Sequence, residues 1–325
     1  MATRQDVAAL AGVSVATVSY VMNGTKNVTP EVRRRVESAI AQLNYRPNLL
    51  ARSLSTKETR HVAMLVDNLN NPHYCEMLSG AQAIAAEKGY IVSVISIDLA
   101  SPCDVLDLAS RGLDGVILAL ATENTTVQSM LPPGFPVISP GRFIGFDYSQ
   151  AFDSLLDSLL LNGHRDIAFL SGLPIASPQH WRYRAWRDAL ARRRLPLREE
   201  LIVDGLPTAA TDEAEGVRAV RELLARGVPF TAVYAVNDLM ALGAMRELRR
   251  TGLRVPEDVS LAGCDRLQVL RYVTPSLATM DVHTFETGRQ LMQMLLEEIN
   301  GVPHEKRTIH VEFVNGESIG PAPAR

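Results

Sequence analysis

Thr17, Ser19 and Asn23 set three short side-chain donors within one seven-residue stretch, and donors of that kind suit phosphate oxygens. Helix capping and solvation of a helix surface are the other uses of such residues. Bond-making chemistry finds no comparable cluster. The chain has no Gly-rich phosphate loop, no Gly-x-Ser-x-Gly elbow and no His-Glu-x-x-His spacing. His73 with Glu76 is a lone i, i+3 pair of the kind that decorates a solvated helix face. Cys75, Cys103 and Cys264 are far apart and show neither metal nor redox spacing, so reduced structural thiols are expected. The seven histidines are scattered and no pair of acids stands in a recognisable setting. No metal, no cofactor and no enzymatic activity are therefore expected.

Local structure must hold the donors, and residues 3–54 supply it. Thr3 caps a first helix with Val7, Leu10 and Ala11 on one face. Gly12 supplies a residue free to take positive φ. Ser14 caps a second helix whose Val15, Val18 and Met22 recur at i, i+3 and i+7, and which stops at Asn23-Gly24. Two such helices in about 20 residues suit a helix-turn-helix, whose second helix enters a DNA major groove; a plain helical hairpin is the other reading. Thr29-Pro30-Glu31 opens a third helix carrying Val32, Val36, Ile40 and Leu43. Residues 1–60 hold nine Lys and Arg against four acids, a net of +5, which leaves −8 on the remainder of a chain whose total is −3. A basic head on an acidic body points to polyanion binding by the head alone.

The length of 325 residues allows two or three domains. No apolar run reaches the ~18 residues of a membrane span, and Met1-Ala2-Thr3-Arg4 leads into an amphipathic helix with no signal-peptide core. A cytoplasmic protein without membrane contact is expected. Ser55 to Arg60 is polar and aperiodic, and from His61 buried strands alternate with helices. Strands are predicted at 61–66, 90–97, 115–120, 136–139, 144–147, 167–170, 201–204, 231–236, 259–262 and 308–314. Helices are predicted at 73–88, 102–111, 149–162, 178–194, 211–225, 237–250 and 285–300. This is an α/β pattern of parallel sheets covered by helices, in two successive units of ~100 residues with a ligand cleft between them.

Several sequence words carry a specific resemblance: Asp6-Val7-Ala8, Ala11-Gly12-Val13-Ser14, Ala16-Thr17-Val18-Ser19, Asn23-Gly24, Tyr45-Arg46-Pro47-Asn48 and Ala51-Arg52-Ser53-Leu54. With them the chain resembles the lactose-repressor (LacI) family of bacterial transcription factors, and further family words run to the C-terminal third. The resemblance implies an all-α helix-turn-helix head at 1–47, a hinge helix and linker at 48–60, and a body at 61–325. That body is expected to have two lobes of Rossmann-like parallel sheets, like periplasmic sugar-binding proteins. The first lobe is expected at 61–162 plus 282–314 and the second at 163–281 plus the C-terminal tail. Chain crossings are expected near Asn162-Gly163, near Met280-Asp281 and after Val314.

The resemblance also implies site residues. Val15, Ala16 and Tyr20 fall at the base-reading positions, where Tyr20 departs from a frequent Arg. Thr3, Ser14, Thr17, Ser19, Asn23 and Tyr45 join them as DNA contacts. Asn48, Ala51, Arg52 and Leu54 belong to a hinge helix that enters the minor groove, with Leu54 as the wedge. The effector positions are Asn70, His73, Tyr74, Arg142, Arg182, Asn237 and Asp265. Arg182 offers forked donors and Asp265 a paired acceptor for hydroxyls or a carboxylate. Asn237 serves either as a helix cap or as a ligand contact. Several family features are absent: Gly141 and Arg266 stand where relatives often place Asp, Pro207 where an aromatic platform is common, and Asp281-Val282 where a basic or Gln-containing pair is common.

The function expected from this is a DNA-binding repressor that sits on a pseudo-palindromic operator as a homodimer, or as a higher assembly, under control of a small effector such as a sugar or related metabolite. A regulator with an effector-free cleft is the alternative. A solute-binding protein or a sugar-processing enzyme would need features that the chain does not carry.

Overall fold

The computed structural model describes residues 2–24, 26–46, 58–97, 112–120, 125–177, 180–206 and 211–324. The chain divides into two compact units, Met1–Thr59 and Arg60–Arg325. The predicted helix at 102–111, the hinge helix and Pro207 lie outside the described residues.

The described residues of the head form three helices, α1 (Arg4–Ala11), α2 (Val15–Asn23) and α3 (Pro30–Gln42). Each begins on a side-chain cap. Thr3 Oγ1 accepts from Asp6 N at 3.3 Å while the Asp6 carboxylate accepts from Thr3 N at 2.7 Å, a reciprocal capping box. Ser14 caps α2 and Thr29 caps α3, with Pro30 at the first helical position. The chain turns by 101° between α1 and α2, as a helix-turn-helix requires. The core is Val7, Ala8, Ala11, Val18, Val21, Val36, Ala39 and Tyr45. Two expected core residues are displaced: Leu10 is 50% and Val15 40% exposed. Ala8 and Val21 take their places. A helix flanked by two partners buries a stripe set by crossing geometry, and Ala8 is small enough to let α1 approach α3 closely.

The body holds two parallel four-stranded sheets. In the first the order is β2-β1-β3-β4, from β1 (His61–Val66), β2 (Ile91–Ser96), β3 (Gly115–Ala119) and β4 (Val137–Ile138). In the second it is β7-β6-β8-β9, from β6 (Ile167–Leu170), β7 (Ile202–Val203), β8 (Ala232–Ala235) and β9 (Ser260–Ala262). β1, β3, β6 and β8 are almost wholly buried, as the inner strands of sheets covered on both faces must be, while β2 lies at an edge and is partly exposed. Among the described residues the covering helices are α4 (Pro72–Lys88), α5 (Thr125–Met130), α6 (Ser149–Leu161), α7 (Trp181–Arg192), α8 (Glu213–Ala225), α9 (Asp238–Arg250) and α10 (Thr284–Ile299). The short α5 was not expected.

Three chain crossings join the lobes. β5 (Ile144–Asp147) pairs in parallel with β11 (Arg307–His310), and β10 (Thr279–Asp281) runs antiparallel to β12 (Glu312–Val314). The first crossing falls at Asp147-Tyr148, not near Asn162. The reason is packing: Phe152, Leu155, Leu156 and Leu159 of α6 join a core with Phe169, Trp186 and Tyr234 of the second lobe. The single strand expected at 308–314 divides at Val311, so the last crossing precedes Glu312 instead of following Val314. β10 was not expected at all. The late helix α10 lies against α4 of the first lobe. Gly80 and Gly288 make that contact possible, since a Cβ on either would overlap a carbonyl oxygen, Phe285 O and Met77 O respectively.

Candidate functional site

The head presents the N-terminal turn of α2. Ser14, Val15 and Ala16 are exposed, and Thr17, Ser19 and Tyr20 are half-buried. Ser14 Oγ accepts from Thr17 N at 3.1 Å and shares a 2.8 Å hydroxyl bond with Thr17 Oγ1, so both hydroxyls are fixed at the helix start. Lys26 Nζ stands 4.6 Å from the centre of the Tyr20 ring, which sets a cation over an aromatic face beside the same turn. Thr3 is spent on its capping box, Asn23 is the last residue of α2, and the Tyr45 ring is 9% exposed and part of the head core. Asn48, Ala51, Arg52 and Leu54 lie outside the described residues.

Between the lobes is a cavity of about 110 Å³. From the first lobe His73, Tyr74 and Met77 of α4 line it, together with Ala119, Leu120 and Pro140. Phe146 and Tyr148 enter from the first crossing, and Leu173, His180, Trp181, Arg182, Thr211, Asn237 and Asp265 from the second lobe. Of the expected effector positions, five meet here: His73, Tyr74, Arg182, Asn237 and Asp265. Asn70 and Arg142 do not. Asn70 is exposed one residue outside the lining, and its neighbour Asn71 lines the cavity while capping α4 at His73 N. Arg142 is exposed, its guanidinium 5.1 Å from the centre of the Phe143 ring. A two-residue displacement along a loop cannot be seen in sequence spacing.

Arg182 and Asp265 form the polar centre. Arg182 Nη2 donates to Asp265 Oδ1 at 3.0 Å, and its guanidinium carbon lies 5.7 Å from the centre of the Tyr148 ring. Arg182 Nε is buried and has no hydrogen-bond partner among the described residues. A buried donor left unmade costs about 1–3 kcal/mol, so this nitrogen favours an incoming acceptor. Burial pushes the His73 imidazole below its ordinary pKa, against the pull of Asp265. A neutral ring 3.9 Å from Asp265 Oδ1 makes a polar contact, not an ion pair. Asn237 is a helix cap that also lines the cavity: its Oδ1 accepts from Met240 N at 2.9 Å and its Nδ2 donates to Thr211 O at 2.8 Å.

The loop carrying Asp265 is strained and braced. Asp265 at φ 115° and Arg266 at φ 55° are consecutive non-glycine residues on the left-handed side. Asp265 N donates to Met280 O at 2.9 Å, Arg266 N to Thr279 Oγ1 at 3.3 Å, and Leu267 N to Asp238 Oδ2 at 2.9 Å. Asp238 is wholly buried and also accepts from Thr279 Oγ1 at 2.6 Å. Burial, then the nearby Asp265 charge, push its carboxyl pKa well up. Asp238 does not line the cavity but stands one step behind it, holding the loop that presents Asp265.

One pair beside the cavity imitates a nucleophilic dyad. Ser171 Oγ and His180 Nε2 are 2.8 Å apart. His180 Nδ1, however, accepts from Tyr183 N at 3.2 Å, so the neutral ring carries its proton on Nε2 and donates to Ser171. The Ser171 hydroxyl in turn donates to Leu173 O. The imidazole therefore cannot take the serine proton; the pair fixes the start of α7, where Arg182 sits. Burial first, and the Arg182 charge second, push the His180 pKa down to about 4.

Residues 3–48 match the family described as bacterial regulatory proteins, lacI family, and residues 156–319 match the periplasmic binding protein-like domain. The HTH-type transcriptional repressor PurR of Vibrio cholerae is 32% identical, over 98% of each chain. A lac repressor dimer bound to operator and the anti-inducer ONPF superposes with a TM-score of 0.81 at 26% identity, over 98% of each chain. A complex of the transcriptional regulator CelR with cellobiose does so with a TM-score of 0.69 at 29% identity, over 98% of this chain and 100% of that one. With helix-turn-helix and two-lobed body both matched along almost the whole length, the chain belongs to the lacI family of bacterial regulatory proteins.

Proposed function

We propose that the chain is a transcriptional repressor that binds a pseudo-palindromic operator as a homodimer and responds to a small effector in the interlobe cleft. The observation that carries this reading is the head: residues 3–48 match a DNA-binding regulator family, and α2 exposes Ser14, Val15 and Ala16 on a basic unit. In this reading Val15, Ala16 and Tyr20 face base edges, and Thr3, Ser14, Thr17, Ser19, Asn23 and Tyr45 serve the backbone contacts or their support. Residues 48–60 then act as the hinge, with Asn48, Ala51 and Arg52 beside a minor-groove wedge at Leu54. The body provides dimerisation and the effector site, with His73, Tyr74, Arg182, Asn237 and Asp265 at its centre. Such a protein acts in the cytoplasm on nucleoid DNA and needs no catalysis; the tautomer of His180 supports that last point.

An effector-free cleft is the second reading, favoured by the internal Arg182–Asp265 bond and by the engaged Asn237 amide. The unpartnered Arg182 Nε favours a bound acceptor. Selection of genomic DNA fragments by the purified full-length protein and by a form lacking residues 1–60 tests the assignment. The full-length protein is expected to enrich one inverted repeat, and the truncated form to remain a folded dimer that enriches nothing. Equal enrichment by both would overturn the role of the head.

A further inference from the structure

Trp181 opens α7 in the second lobe, yet its indole lies on Gly141 in the turn after β4 of the first. A Cβ built on Gly141 would overlap Trp181 Cη2 and stand 2.7 Å from Cζ2. Gly141 also has φ 86°, which disfavours any side chain there. The indole thus occupies the space that a side chain at 141 would fill, and it lines the cavity next to Pro140. The cavity it bounds measures about 110 Å³.

We propose that Trp181 is a specificity-determining residue that walls the cleft over Gly141 and limits how far a ligand extends towards the turn after β4. The proposal rests on the reading of the cleft as an effector site. The chemistry of the ligand follows from the lining: groups that donate to Asp265 and accept from Arg182, beside the aromatic faces of Trp181, Tyr74 and Phe146. The CelR relative is bound to cellobiose, a two-ring ligand. This chain would meet such a ligand with the indole.

The test is thermal shift and calorimetry on the full-length protein and on Trp181→Ala, with Trp181→Leu as a milder truncation should the first not fold. The probes are D-ribose, D-glucose, myo-inositol and uracil as one-ring compounds, and cellobiose, lactose and uridine as two-ring ones. Wild type is expected to bind at least one of the former and none of the latter, and the truncated variant to gain a two-ring compound by about tenfold or more. Wild type binding a two-ring compound as tightly as its one-ring counterpart would overturn the size limit alone. So would a variant that keeps one-ring binding and gains nothing. Absence of any shift in either protein would overturn the effector reading and the size limit with it.

Discussion

Arg266 Nη1 lies 2.5 Å from Asp281 Oδ2, so two positions at which the sequence departs from the family pattern are each other's partners. The guanidinium of the one meets the carboxylate of the other. The pair ties the strained Asp265-Arg266 loop to β10, one of the strands at a lobe crossing. It thereby restrains the segment that presents Asp265.

A double-mutant cycle measures that restraint. Arg266 is 49% exposed and Asp281 12%, so solvent screening keeps the pair near the surface range of about 0.2–1 kcal/mol. Arg266→Ala and Asp281→Ala are each expected to lower stability, with a coupling energy of about 1 kcal/mol in denaturant titrations. Strict additivity of the two losses would show that the contact does not hold the loop.

Packing of α10 on α4 makes a stability prediction independent of function. Gly80→Ala and Gly288→Ala each drive a methyl group into a carbonyl oxygen of the other helix and should cost about 2 kcal/mol or more. Gly134→Ala meets nothing within 4 Å among the described residues and strains only a φ of 78°, so roughly 1 kcal/mol is expected there. Thermal unfolding of the three variants ranks them, and a Gly134 variant as unstable as the other two would contradict the close helix contact.

Acid should destabilise the body through its buried imidazoles. The His180 pKa is about 4 in the folded protein against an ordinary 6.5. Below pH 6.5 the unfolded chain binds a proton that the folded one refuses, so stability falls as pH drops from 6.5 towards 4. Burial of His73 and His164 acts in the same direction. Melting temperatures of wild type and His180→Asn over that window are expected to converge as the pH falls. Parallel curves would place the acid sensitivity elsewhere.

Much of this was legible in the sequence, and the exceptions share a cause. Helix caps at Thr3, Ser14, Thr29 and Asn237 are local signals and read directly. So do the strands of the two four-stranded sheets, whose apolar runs need both faces covered, whereas the three-residue β10 is too short to carry such a run. What periodicity cannot carry is the identity of a partner. The apolar face of α6 fits either lobe equally, and only its packing against Trp186 and Tyr234 assigns it to the second. The run 308–314 is uniform in pattern, yet its halves pair with different strands. Leu10 and Val15 fit a helical stripe, but the crossing of α1 and α2 turns that stripe away from them. In the cleft, Arg182 and Asp265 were readable from the resemblance, while Trp181 on Gly141 was not, because nothing local couples a tryptophan to a glycine forty residues away.

In the proposed function the Arg182–Asp265 pair links a ligand in the cleft to the grip of the head on DNA. It is tested by operator affinity of the full-length protein and of Arg182→Ala, each with and without the compound that most stabilises the wild type. Asp265 is 4% exposed and loses its partner in the variant, so Arg182→Ala should also melt earlier. The wild-type affinity is expected to change by about 5–150-fold on ligand addition, the usual span of allosteric coupling. The variant is expected to hold the operator nearly as well as the ligand-free wild type and to change less than about twofold. A variant that responds as fully as the wild type would contradict the account.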